Sequence, residues 1–176
     1  MLLGSQAAVR DAGRFEEYAA HLRPADRDVL LNMVAGTWIP IELAFAHYEA
    51  CDALGFPTDR QVLNGRATFD KTNVTLMGTI IRMAKEAGVT PWSVVPHFQR
   101  FWERGYDGGG LCIWKTGPKE VRLDIVRVPL NDSRYYRNAL RGLSNGVFGL
   151  FCAKAYTVER PGPRAPGAVS VRVQWA

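Results

Sequence analysis

Residues 90–130 read TPWSVVPHFQRFWERGYDGGGLCIWKTGPKEVRLDIVRVPL, and this stretch decides the fold. Thr90-Pro91 places a capping hydroxyl before a proline at the first helical position, where the missing N–H is not needed. The helix should run to about Arg104, with a kink where Pro96 removes one hydrogen bond. Gly105 and the triplet Gly108–Gly110 then release the chain into a strand at Leu111–Lys115. Thr116-Gly117-Pro118-Lys119 makes a compact turn into a second strand at Val121–Val128. Val121, Leu123 and Ile125 alternate with Arg122 and Asp124, so one sheet face is apolar and the other wet.

Downstream, Asp132 or Ser133 can cap a helix to about Leu150. A strand at Cys152–Glu159, a Pro/Gly-rich loop at Arg160–Gly167 and a last strand at Val169–Trp175 follow. Upstream, Val9–His21 and Asp26–Val34 have helical composition and are separated by Arg23-Pro24, while residues 1–8 are expected to fray. Thr37 is expected to cap a helix closed by Gly55, with Ile39, Leu43, Ala46 and Ala50 on its apolar side. Further helices are expected from Thr58 to about Asp70 and over Val74–Ala87, the latter ending at Gly88. The pattern predicts an α+β fold in one domain spanning 1–176: a helical layer packed on a four-stranded antiparallel sheet, built from two hairpins joined by a helix.

The chain has 176 residues, 47% of them hydrophobic, enough for a substantial core. Its net charge is +5, but the 22 basic residues are scattered, which points to solvated surface rather than a nucleic-acid interface. Cys51, Cys112 and Cys152 are odd in number and far apart, so no disulfide framework or paired-cysteine metal site is indicated, and a reducing cytoplasm is expected. No stretch has the apolar length of a signal-peptide core or a membrane span.

Few polar residues form a chemical constellation. His47 and Cys51 lie four apart on one helix and can face each other, as a metal-ligand or nucleophile–base pair or as ordinary packing. His97 with Glu103 or Asp107 would need a cleft to do acid–base work. Arg134, Arg137 and Arg141 recur at helical spacing and can offer a cationic stripe to an acidic protein partner. Gly108–Gly110 lacks the pattern of a phosphate loop or dinucleotide turn.

Thr37-Trp38-Ile39-Pro40 and the run Val95–Gly110 resemble a paralogous family found in myxobacteria. The corresponding positions are Trp38 to Pro40, then Pro96, Phe98, Trp102, Tyr106 and Gly108, and finally Trp175. More broadly, residues 35–176 resemble the ligand-binding fold shared by haem-nitric-oxide-binding domains, four-vinyl-reductase-type sensors and the core subunits of the vesicle-tethering transport complex. The first group implies a proximal histidine and a Tyr-x-Ser-x-Arg porphyrin clamp, and no Tyr-x-Ser-x-Arg occurs here. The second implies a zinc set with paired cysteines near the last hairpin, where this chain has only Cys152. No metal or cofactor is therefore expected.

The resembled fold can hold an apolar ligand between helices and sheet, which makes Trp38, Phe45, Tyr48, Met77, Phe98, Phe101, Trp102, Trp114 and Phe148 the pocket candidates. The expectation is a non-enzymatic regulatory or sensory domain that binds a small apolar molecule there. The alternative is a protein-interaction scaffold with a solid core. A homodimer is expected under either reading, and exposed bulky aromatics would favour the scaffold.

Overall fold

The computed structural model describes residues 1–72, 88–159 and 165–176, without the side chains of residues 70–72 and 101. The helix expected over Val74–Ala87, with Met77, lies outside the described residues, as does the side chain of Phe101.

The chain opens with α1 (Leu2–Asp11), α2 (Phe15–His21) and α3 (Pro24–Leu31). Helix starts at Leu2, not Val9, and the face it buries mixes polar Ser5 and Gln6 with small apolar Ala8 and Val9. Such a face leaves no apolar stripe to read in the sequence. Gly13, at φ 69°, splits the single helix expected over Val9–His21 into two. Helix α4 (Ile41–Ala53) begins after Pro40, not at Thr37, since the residue before a proline is held out of the helical region. It ends where Gly55 turns at φ 64°, and α5 (Thr58–Thr72) follows.

The deciding stretch folds largely as its residues dictate. A capping box of Thr90 and Ser93 starts α6 (Pro91–Val94), a 3-10 turn takes over at Val95–His97 where Pro96 interrupts the ladder, and α7 (Phe98–Gly105) completes the unit. Gly108 and Gly109 reverse the chain at φ 96° and 68° into β1 (Gly110–Gly117) and β2 (Glu120–Val126). Helix α8 (Arg134–Gly149) is capped by Ser133, whose Oγ accepts from the Tyr136 N–H at 3.1 Å. Strands β3 (Ala155–Glu159) and β4 (Val169–Trp175) close the fold.

The four strands form one antiparallel sheet in the order β1-β2-β4-β3. Val121, Leu123 and Ile125 of β2 and Val169, Val171, Val173 and Trp175 of β4 are all buried on its inner face. Helix α8 bridges the layers. Arg141 donates to the Thr157 carbonyl at 3.4 Å, and the Thr157 hydroxyl donates to the Arg141 carbonyl at 3.0 Å. On its other side α8 crosses α5 with backbone nearly on backbone: a Cβ on Gly142 would stand 2.7 Å from the Arg66 nitrogen. Only glycine permits that approach. Among the described residues, no helix is long and apolar enough to cross a membrane.

Candidate functional site

The interior between α1, α2, α4 and α8 is both polar and aromatic. His47 on α4 is fully buried. The Ser5 hydroxyl donates to the Leu2 carbonyl at 3.1 Å, so its oxygen is left to accept from His47 Nε2. That assigns the Nε2-protonated tautomer, and Nδ1 accepts from the Tyr18 hydroxyl at 2.8 Å. Cys51, one turn along α4, places its sulfur 3.7 Å from Nε2, so the pair read from the sequence does meet. From His47 the rings continue. Tyr48 stands edge-on to it at 4.7 Å and to Tyr136 at 4.9 Å. The Tyr136 and Tyr106 hydroxyls are 2.5 Å apart, and Tyr106 stacks on Trp102 at 4.3 Å.

Burial keeps these groups neutral. It lowers His47 to about 3 and pushes the phenols of Tyr18, Tyr48, Tyr135 and Tyr136 and the thiol of Cys51 upward. Tyr106 is pushed up to about 12, again by burial, against the bond from Tyr136. Loss of water disfavours whichever form carries charge. A protonated buried thiol and a neutral imidazole with both nitrogens engaged make neither a nucleophile–base pair nor an open ligand set. Among the described residues, no three His, Cys, Asp or Glu side chains are grouped to hold a metal ion.

A second aromatic group lines the seam between the α6–α7 unit and the sheet. Phe98 meets Phe148 edge-on at 5.2 Å, Phe148 lies 5.6 Å from Trp175, and Trp175 lies 5.0 Å from Trp92. The Trp92 indole donates to the Pro118 carbonyl at 2.7 Å, tying the unit to the hairpin turn.

The pocket candidates therefore divide. Tyr48, Trp102 and Phe148 are buried, and Phe45 and Phe98 are half-buried against the same core. Trp38 is 63% exposed in the segment before α4, and Trp114 is 50% exposed on the outer sheet face, so neither lines the interior. Strand alternation explains Trp114, because its neighbours Leu111 and Ile113 take the inward positions. Nor do the three arginines form a free stripe. Arg134 donates to Thr58, Arg137 to the carbonyls of Asn131 and Asp132, and Arg141 to Asn138. Arg137 also pairs with Glu159 at 3.3 Å. His97, Glu103 and Asp107 are all exposed, and Glu103 accepts from Gln99 at 2.9 Å.

Ser5, Gln6, Tyr18 and Asp52 were not singled out by the sequence. Asp52 accepts from the Ser133 hydroxyl at 2.6 Å and from the Tyr135 N–H at 2.7 Å, joining the end of α4 to the start of α8.

The fold has solved counterparts. The Fe(II) unliganded H-NOX protein from K. algicida superposes with a TM-score of 0.69 at 10% identity, over 99% of this chain and 94% of that one. This is the H-NOX fold. An H-NOX of T. Tengcongensis matches with a TM-score of 0.60 at 12% identity, over 99% and 94% of the two chains. A structure from a study of heme distortion in the H-NOX family gives 0.61 at 12% identity, over 99% and 93%. No protein-family model and no curated protein matches the sequence.

The H-NOX fold raises the question of haem, and the described residues do not fit it. His21 and His97 are exposed, and His47 has both ring nitrogens engaged by Ser5 and Tyr18. Tyr48, Tyr135, Tyr136 and Phe148 are each no more than 1% exposed and fill the interior. Ser133, beside the start of α8, is committed to Asp52 and to capping the helix.

Proposed function

We propose that this chain is a non-enzymatic regulatory or sensory domain that uses the H-NOX fold without haem and takes a small apolar ligand at the seam between its helices and the sheet. The observation that carries the reading is the aromatic seam of Phe98, Phe148, Trp175 and Trp92, beside an interior whose His47 and Cys51 are held neutral by burial. Apolar walls with few polar fixing groups suit an apolar guest. A guest wedged there would shift the α6–α7 unit, anchored to the hairpin turn by the Trp92–Pro118 bond, and a partner could read that shift.

A second reading, an interaction scaffold that forms a homodimer, is favoured by the exposure of Trp38, Trp114, Tyr156 and Val158. Native mass spectrometry of the purified protein, against its denatured mass, separates the two. A retained small mass lost on denaturation supports the sensor, and a ligand-free dimer supports the scaffold. Added hemin binding one-to-one with a sharp Soret band would overturn the haem-free reading of the site.

A further inference from the structure

The buried rings join end to end. From Trp102 to Tyr106 the centroids are 4.3 Å apart, and from Tyr106 to Tyr136 the hydroxyls are 2.5 Å apart. Centroid steps of 4.9 Å to Tyr48, 4.7 Å to His47 and 5.4 Å to Tyr18 follow. The surface end is the stacked pair of Trp102, 9% exposed, and half-buried Tyr106, whereas Tyr48 and Tyr18 are sealed. We propose that this row conducts oxidising equivalents inward and that they come to rest as a neutral radical on Tyr18, with His47 taking the phenolic proton.

The resting place follows from hydrogen bonding. An oxidised phenol is a strong acid and persists only as the neutral radical, so it needs a proton acceptor. Among the described residues, the Tyr48 hydroxyl has no hydrogen-bond partner. Tyr136 is bonded to Tyr106, whose other contact is the Met1 thioether at 3.9 Å, a weak acceptor. Tyr135 accepts from Asn64 at 3.1 Å. Among the described residues, Tyr18 alone of these phenols donates to a nitrogen base, at 2.8 Å, and the Ser5 bond keeps that nitrogen unprotonated. Burial leaves the resting imidazole neutral and able to accept; it also opposes the imidazolium, a cost that the far stronger acidity of an oxidised phenol overcomes.

In the step itself, a one-electron oxidant at the surface takes an electron from the Trp102 indole. Electrons then move outward along the row until the deficit reaches Tyr18. Its O–H bond breaks and the proton passes to His47 Nδ1, leaving a neutral Tyr18 radical beside an imidazolium. One electron has left the protein and no proton has, so re-reduction returns the proton to the phenol.

The test uses a Tyr156→Phe background, which removes the exposed tyrosine of β3. The protein is illuminated with ruthenium tris-bipyridine and persulfate, frozen and examined by electron paramagnetic resonance. A tyrosyl signal is expected, falling to near background in Tyr18→Phe and reduced in yield in Trp102→Phe, with far-UV circular dichroism confirming that each variant folds. If Tyr18→Phe does not fold, Trp102→Phe decides the matter from the other end of the row. A tryptophan signal alone, or a tyrosyl signal undiminished by the variant that decides, overturns the proposal.

Discussion

Replacing Gly142 with alanine tests the crossing on which the helical layer is built. The added Cβ would stand 2.7 Å from the Arg66 nitrogen and 2.9 Å from the Val62 carbonyl carbon, with the Val62 oxygen closer still, where ordinary contact begins at 3.4 Å. These are backbone atoms, so no side chain can swing aside and α5 must retreat by more than one ångström to clear the Val62 oxygen. The retreat would also open the contact of Gly65 with the Ala139 backbone. Overpacking a core costs about 1–3 kcal/mol and occasionally more, and a backbone clash belongs at the upper end. Alanine returns up to about 1 kcal/mol in helix propensity, which leaves a net loss of about 2 kcal/mol. For a chain of this size that lowers Tm by about 4–8 °C. Gly105→Ala, at the exposed end of α7 with nothing within 4 Å of the new Cβ, should be neutral or slightly stabilising. Urea unfolding followed by circular dichroism, with the slope checked for constancy, measures both. Equal midpoints for Gly142→Ala and the parent would refute the close crossing.

His47 makes stability depend on pH. Its folded value lies near 3 against 6.5 in a free side chain, so the unfolded state binds the extra proton below 6.5. The stability it protects is complete above about 6.5 and falls as pH drops toward 3, by about 2 kcal/mol between 6.5 and 5. Urea midpoints at pH 7 and 5 should show this fall in the parent and a smaller one in His47→Gln. Asp52→Asn weakens two bonds that hold the first turn of α8, and calorimetry should find about 1–2 kcal/mol lost, the scale of a helix cap with charge assistance. Trp114→Ala on the outer sheet face removes a cation–π contact with Arg122 at 5.3 Å and should cost about 1 kcal/mol of folding stability. If the scaffold reading holds, sedimentation of the same variant should show weakened self-association.

The sheet and the residues that break it into strands were legible because glycine, proline and strict alternation act locally. Val121, Leu123 and Ile125 could only face one way, and Thr90-Pro91 could only begin a helix. The start of the chain was illegible for the opposite reason. Ser5 and Gln6 are buried by what their polar atoms bond to, Leu2, His47, Tyr18 and Leu30, and those partners are up to 42 residues away. Helical spacing brought His47 and Cys51 together correctly. It could not reveal that Tyr18 and Ser5 occupy both ring nitrogens, which turns an apparent ligand pair into a sealed one. Trp38 misled because an aromatic residue counts toward any core in composition, whereas Pro40 keeps its segment out of the helix. Trp114 was placed on the wet face by the same alternation that buries its neighbours.

The strand order β1-β2-β4-β3 sets the timing of folding during synthesis. The middle of the sheet is the pairing of Leu123 with Val171, residues separated by all of α8 and β3. While the ribosome is still making the chain, the β1–β2 hairpin carries a bare inner edge that no strand among the described residues made earlier can pair with. That edge is satisfied only once Val169–Trp175 has emerged. Until then it is the segment most open to pairing with a neighbouring nascent chain. Slowed translation beyond Val126, or a truncation that removes the last strand, should therefore yield aggregate rather than a smaller folded domain.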